Sequence, residues 1–204
     1  MRHGIRHVAC CLFLTLAVLG CRQPTHPTVT IETSVGRIVI ELYENQAPLT
    51  VKNFLAYVER NAYDNATFYR VVRDDNQAQN NILIDVVQGG LGFDRLTEGL
   101  PPIAHESTQQ SGLRHEDGTL SLARGEPGTG ASEFFICIGA QPALDAGGLR
   151  NPDGLGFAAF GSVVEGMEII RQIHRMPTVQ PDGELEYTSG QMLIDPPQIL
   201  SIKR

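Results

Sequence analysis

The chain has 204 residues, 42% hydrophobic and 19% charged, enough for one domain with a real core and too little for two ordinary ones. That balance excludes a disordered chain. With 16 basic and 23 acidic residues, a formal charge of −7 and no run of Lys or Arg, general nucleic-acid binding is excluded as well.

The N-terminus is read as a targeting segment. Arg2 and Arg6 precede an apolar run over residues 8–19 that only Thr15 interrupts. At about a dozen residues it is too short to span a bilayer and suits the apolar region of a signal peptide. It ends in Val18-Leu19-Gly20-Cys21, which resembles a bacterial lipobox, with Leu19 the less usual residue. Residues 1–20 are therefore expected to be a lipoprotein signal peptide. Residues 21–27, with Pro24 and Pro27, are a tether, and residues 28–204 are the folded domain. Lipid on the Cys21 thiol would anchor an extracytoplasmic protein at a membrane surface. The lack of Asp after Cys21 leans towards the periplasmic face of an outer membrane. The alternatives are an ordinary secretion signal cleaved nearby, or a buried helix. Cys10 and Cys11 would leave with the signal. Cys137 would then stand alone, a small core residue with no disulfide to form.

Residues 29–32 and 37–43 read as a hairpin around Ser34-Val35-Gly36, with Ile38, Ile40 and Leu42 in the period of a half-buried strand. Pro48 opens a helix whose Val51, Phe54, Leu55 and Val58 share one face. Strands are expected at 67–73 and 82–87, on either side of a polar stretch at 74–81, and again at 119–123, 133–138 and 157–163. A second helix is expected over 166–175, and a last strand holds Ile199, Leu200 and Ile202. This is a mainly β chain with helical caps. Closure of the sheet would remove its exposed edges, but periodicity does not separate a barrel from a sandwich.

Residues 118–137 read GTLSLARGEPGTGASEFFIC, a short strand, a Gly/Pro/Ser/Thr-rich loop and a second strand. Upstream stand Phe68-Tyr69-Arg70-Val71-Val72 and Gln88-Gly89-Gly90. Together, in this order, these segments resemble the cyclophilins. The likeness extends to residues 48–54 and 160–167, and so to nearly the whole mature chain. It implies a closed eight-stranded antiparallel β-barrel capped by two α-helices. It also implies a peptidyl-prolyl cis-trans isomerase. Rotation about a peptide bond must break amide resonance, a barrier of about 18–20 kcal/mol. A catalyst needs a dry hollow for the proline ring and a donor that favours the twisted form, with no cofactor or metal.

By the same resemblance Arg70 is the donor and Gln88 orients it. Glu133 stands where familiar eukaryotic relatives carry glutamine, and its carboxylate is expected to lock Arg70 by a charge-assisted hydrogen bond. Phe135 floors the proline pocket, while Phe134 beside it faces the core. Phe68, Val86, Leu144 and Phe157 are further substrate contacts, and the backbone of Ala123 and Arg124 binds the substrate main chain. The usual pocket phenylalanine ahead of Val86 is Asp85, which would open the pocket, unless a slip of one residue places Ile84 there. Tyr69 and Phe157 replace histidines, and Ala143 replaces a tryptophan, swaps that look like the bacterial branch. The partners implied are proline-containing segments of unfolded or flexible exported proteins, bound by a monomer. The rival reading is a non-catalytic proline-peptide-binding chaperone or scaffold on the same barrel, favoured by Asp85 and the 74–81 insertion. His105-Glu106 and His115-Glu116 lack metal-site spacing and suit solvated loops.

Overall fold

The computed structural model describes Met1, residues 26–180 and residues 187–204, so the expected signal peptide, Cys21 and most of the tether lie outside the described residues. The period-two segments pair as expected. β1 (Thr28–Thr33) and β2 (Gly36–Leu42) form the hairpin, with Ile31 opposite Ile38. The turn is closed by Thr33 Oγ1, which donates to the Gly36 carbonyl at 2.6 Å and accepts from Val35 N–H at 3.1 Å.

α1 (Pro48–Glu59) begins at a proline, whose missing N–H would have had no helical partner. The next two N–H groups, of Leu49 and Thr50, donate to the carboxylate of Glu106 at 3.1 and 2.7 Å, as does the Thr50 hydroxyl. Glu106 is thus a cap supplied from a distant loop rather than a solvated residue, and its charge suits the positive end of the helix.

β3 (Ala66–Val72), β4 (Val86–Gly90), β5 (Thr119–Leu122), β6 (Phe134–Cys137), β7 (Ala158–Glu165) and β8 (Gln198–Lys203) complete a closed antiparallel barrel in the order β1-β2-β7-β5-β6-β4-β3-β8. The single turn α2 (Thr108–Ser111) lies between β4 and β5, and α3 (Met167–His174) between β7 and β8. The strand expected at 82–87 starts only at Val86. The cause is the buried Gln77, whose side-chain amide exchanges two hydrogen bonds with the backbone of Ile84 (2.7 and 3.2 Å) and consumes the groups a strand would use.

Alternation along the strands sorts the apolar residues into two clusters. Ile38, Ile40, Phe68, Val71, Val87, Phe134, Ile136 and Phe160 fill the barrel, together with Phe54 of α1 and Ile170 and Ile173 of α3. Val72, Ile84, Val86, Phe135, Cys137, Leu144 and Phe157 form a smaller cluster on the opposite face of β3, β4 and β6. The Cys137 thiol, free among the described residues, is buried there, and burial pushes its pKa well up.

Candidate active site

The smaller cluster is the floor of a cavity of about 310 Å³ on the outer wall of the barrel. Phe135 and Phe157 meet edge to face with centroids 5.2 Å apart, and Leu144 and Ile84 stand in the same apolar wall. Phe135 rests in turn on the ring of His115, stacked at 6.0 Å. His115 is only 1% exposed. Its Nδ1 lies 2.7 Å from Asp145 Oδ1 and its Nε2 2.9 Å from Ser121 Oγ. The expectation of a solvated loop histidine is therefore overturned, because one carboxylate and one hydroxyl satisfy both ring nitrogens beneath the pocket. Burial pushes its pKa down, with Asp145 opposing.

Arg70 reaches the edge of this hollow through a β-bulge. Phe68 pairs with Gly89 and Arg70 with Gln88, so Tyr69 is the extra residue of β3. Phe68 and Val71 stay in the barrel, while Tyr69 and Arg70 both line the cavity. Phe68 is accordingly not a substrate contact. Its ring is fully buried in the barrel core, edge to face with Phe134.

Only 7% of Arg70 is exposed. Its Nη1 donates to Gln88 Oε1 at 2.7 Å, and its Nε and Nη2 both donate to Gln191 Oε1, at 2.8 and 2.5 Å. The Tyr187 ring lies 5.1 Å from the guanidinium carbon. Among the described residues three of the five N–H groups of the guanidinium are thus taken and two have no partner, and both acceptors are neutral amides. Gln191 is brought in by a segment that pairs beside β3: Val71 N–H donates to the Gln191 carbonyl and Leu193 N–H to the Tyr69 carbonyl, both at 2.9 Å. Neither Gln191 nor Tyr187 carries a local sequence signal, since their role arises from contacts more than a hundred residues apart in the chain.

Glu133 does not lock Arg70. Its carboxylate accepts from the Tyr69 hydroxyl at 2.5 Å, Ser132 Oγ at 2.9 Å and Gly92 N–H at 3.3 Å. It fits there because Gly90, at φ 145°, has no Cβ; one would press into the carboxylate at 2.6 Å. Burial pushes the Glu133 pKa up, and the Tyr69 and Ser132 hydrogen bonds resist. Burial, reinforced by Glu133, pushes the Tyr69 phenol up further still.

Val86, Gln88, Ala123, Arg124, Glu133, Phe135, Leu144 and Phe157 all line the same cavity as Arg70. Ile84 does too, whereas Asp85 turns to His174 at 3.4 Å, so the wall is apolar and is not opened by a carboxylate. Arg124 acts through its side chain as well as its position. It bonds the Gly156 carbonyl at 2.9 Å and Asp153 at 2.7 Å, and lies 5.4 Å from the Phe157 centroid, pinning that loop. Asp153 is held at about 2 by Arg124. An apolar slot with an arginine at its rim can hold a proline ring and offer two N–H groups to the amide beside it.

The family model for cyclophilin-type peptidyl-prolyl cis-trans isomerases matches residues 28–199. The peptidyl-prolyl cis-trans isomerase cyp18 of Streptomyces antibioticus is 34% identical over 177 residues, 85% of this chain and 98% of that protein. Isomerase B of Escherichia coli is 34% identical over 154 residues, 74% of this chain and 85% of its own. The crystal structure of a Cryptosporidium parvum cyclophilin-type isomerase in the presence of the dipeptide Ala-Pro shares the fold, with a TM-score of 0.66 at 23% identity over 87% of this chain and 98% of that one. The chain belongs to the cyclophilin family and is a peptidyl-prolyl cis-trans isomerase.

Proposed function

We propose that this isomerase works through Arg70 on proline-containing segments of exported proteins, as a monomer of the bacterial branch anchored by lipid on Cys21 at the periplasmic face of the outer membrane. The observation that carries the catalytic part is the guanidinium, with two N–H groups unclaimed among the described residues, at the rim of an apolar hollow floored by Phe135. In the twisted transition state the proline nitrogen regains its lone pair, and a donor placed there lowers the barrier. Phe135, Leu144 and Phe157 hold the ring, and Gln88 with Gln191 fix the donor. An apolar Ile84 in place of Asp85 removes the main argument for a barrel that binds without turning over.

The anchor rests on Val18-Leu19-Gly20-Cys21 after an apolar run. Labelled palmitate should enter the native chain and not the Cys21→Ser variant, which should appear in the soluble periplasmic fraction. Equal labelling of both would refute lipidation at Cys21. Proline-isomer exchange on a short peptide, with wild-type and Arg70→Ala protein, tests the catalytic part. Retention of the wild-type rate by the variant would overturn it.

A further inference from the structure

Two amides clamp Arg70, and their polarity is set in different ways. Gln191 Nε2 donates to the Asn76 carbonyl at 3.0 Å, so its oxygen must face Arg70. A backbone carbonyl only accepts, and that setting holds at every pH. Gln88 is set by an ionisable group. Its Nε2 lies 2.7 Å from the Tyr69 hydroxyl, which lies 2.5 Å from Glu133. An ionised carboxylate is an acceptor only, so the phenol proton must point to Glu133. The phenol oxygen is then free to accept from Gln88, and Gln88 Oε1 is turned to Arg70 Nη1 at 2.7 Å.

We propose that Glu133, acting through the Tyr69 hydroxyl, is the positioning residue that fixes the amide of Gln88 and so the pose of Arg70. The inference rests on the reading that Arg70 is the catalytic donor. While Glu133 is ionised, the chain Arg70→Gln88→Tyr69→Glu133 has a single set of proton directions. A Glu133 protonated on Oε2, the oxygen that faces Tyr69, donates to the phenol oxygen. The phenol proton then turns to Gln88, which must present its oxygen there and its NH2 to the guanidinium, two donors face to face. Activity therefore has an acid limb that follows Glu133. The ionisable groups that face Glu133 are the phenols of Tyr69 on β3, Tyr57 on α1 and Tyr63 in the following turn, with Arg70 one step beyond Tyr69. Burial pushes all three phenols up, so none of them titrates with the carboxyl in the acid range. His115 lies on the other side of Phe135 and titrates beneath the pocket.

The test is proline-isomer exchange on a short peptide, with kcat and KM measured between about pH 4 and 8 in the full-length protein. Tyr69→Phe keeps the ring and removes the link; kcat should fall about tenfold, with KM changed less than about twofold. Glu133→Gln still offers an oxygen to Tyr69 but does not titrate; it should keep kcat within about tenfold and lose the acid limb. Glu133→Met removes the acceptor, and the Tyr69→Phe/Glu133→Met pair should be no slower than the worse single variant, because the two act in series. If Glu133→Met does not fold, the other two variants carry the test. An acid limb unchanged in Glu133→Gln, or wild-type kcat in Tyr69→Phe, overturns the inference. Should Arg70→Ala alone keep full rate, it is instead the catalytic reading that falls.

Discussion

Replacing Arg70 by Lys keeps one positive charge at the rim of the pocket and removes almost everything else the structure asks of that residue. The guanidinium spends three N–H groups on Gln88 and Gln191 and has two without a partner among the described residues, in a plane fixed from both sides and covered by Tyr187. An ammonium is a point donor on a flexible stem and cannot satisfy both amides while facing the slot. Loss of one preorganised donor to a transition state typically costs about 2.7–4 kcal/mol, or 10²–10³ in kcat. Lys should fall at the low end of that range, about 10²-fold, because its charge remains, and Ala at the high end. The proline slot of Phe135, Leu144 and Phe157 is untouched, so ground-state binding persists, and kcat and kcat/KM should fall together. Stability should drop too. Gln88 and Gln191 are both buried, and an unpaired buried acceptor costs about 1–3 kcal/mol. The assay is exchange between cis and trans peptide by NMR, with thermal unfolding in parallel. A Lys variant within about threefold of wild type in kcat, with its fold intact, would refute the donor role.

Two further outcomes follow from the walls of the site. Gly156 sits at φ 65°, and a Cβ there would overlap the Leu144 carbonyl and the Asp145 backbone. Gly156→Ala should lose about 1–2 kcal/mol from the left-handed backbone alone, and KM should rise as Leu144 and Phe157 are pushed out of line. Unchanged KM and urea midpoint would show that the loop absorbs the methyl. His115, whose folded pKa is lowered, binds fewer protons in the folded than in the unfolded chain between that value and the ordinary one near 6.5. Its contribution to stability is therefore full above the ordinary value and is lost as pH falls through the window. Glu133, with its pKa raised, has the opposite sign: stability declines as pH rises from the ordinary carboxyl range through its folded value. Urea midpoints against pH should lose the histidine slope in His115→Gln and keep it in Glu133→Gln; the reverse assignment would sink both.

Much of the molecule was legible in the residue pattern. Alternation sent Phe134 inward and Phe135 outward, and the periodic face of Val51, Phe54, Leu55 and Val58 is buried as read. What failed did so where a local irregularity or a distant contact decides the outcome. The resemblance puts both Phe68 and Arg70 at the substrate, and strict alternation, which sets residues two apart on one face, agrees with it. One unpaired residue reverses that parity, and nothing in Phe-Tyr-Arg-Val-Val marks it. The late start of β4 depends on the Gln77 amide, which reads from sequence as one more polar residue in a polar insertion. Gln191 and His115 gain their places from partners that only the closed barrel brings near.

The same bulge explains why the site can be assembled at all. On a regular strand Tyr69 and Arg70 would point to opposite sides of the sheet, one of them into a barrel already filled by Phe54, Phe134 and Phe160. With the extra residue, both side chains emerge on the outer wall, and each meets a different partner: Tyr69 reaches Glu133 ahead of β6, Arg70 reaches Gln191 on the far side, and Gln88 of β4 bridges the two. The bonds of Gln88 to its neighbours therefore require the strand irregularity and the glycine at position 90, whose missing Cβ leaves room for the carboxylate. Arg70, Gln88 and Glu133 are separate motifs in the sequence. In the fold they depend on one displaced residue, and restoring regular pairing by removing it would separate the donor from its support while leaving the rest of the barrel able to close.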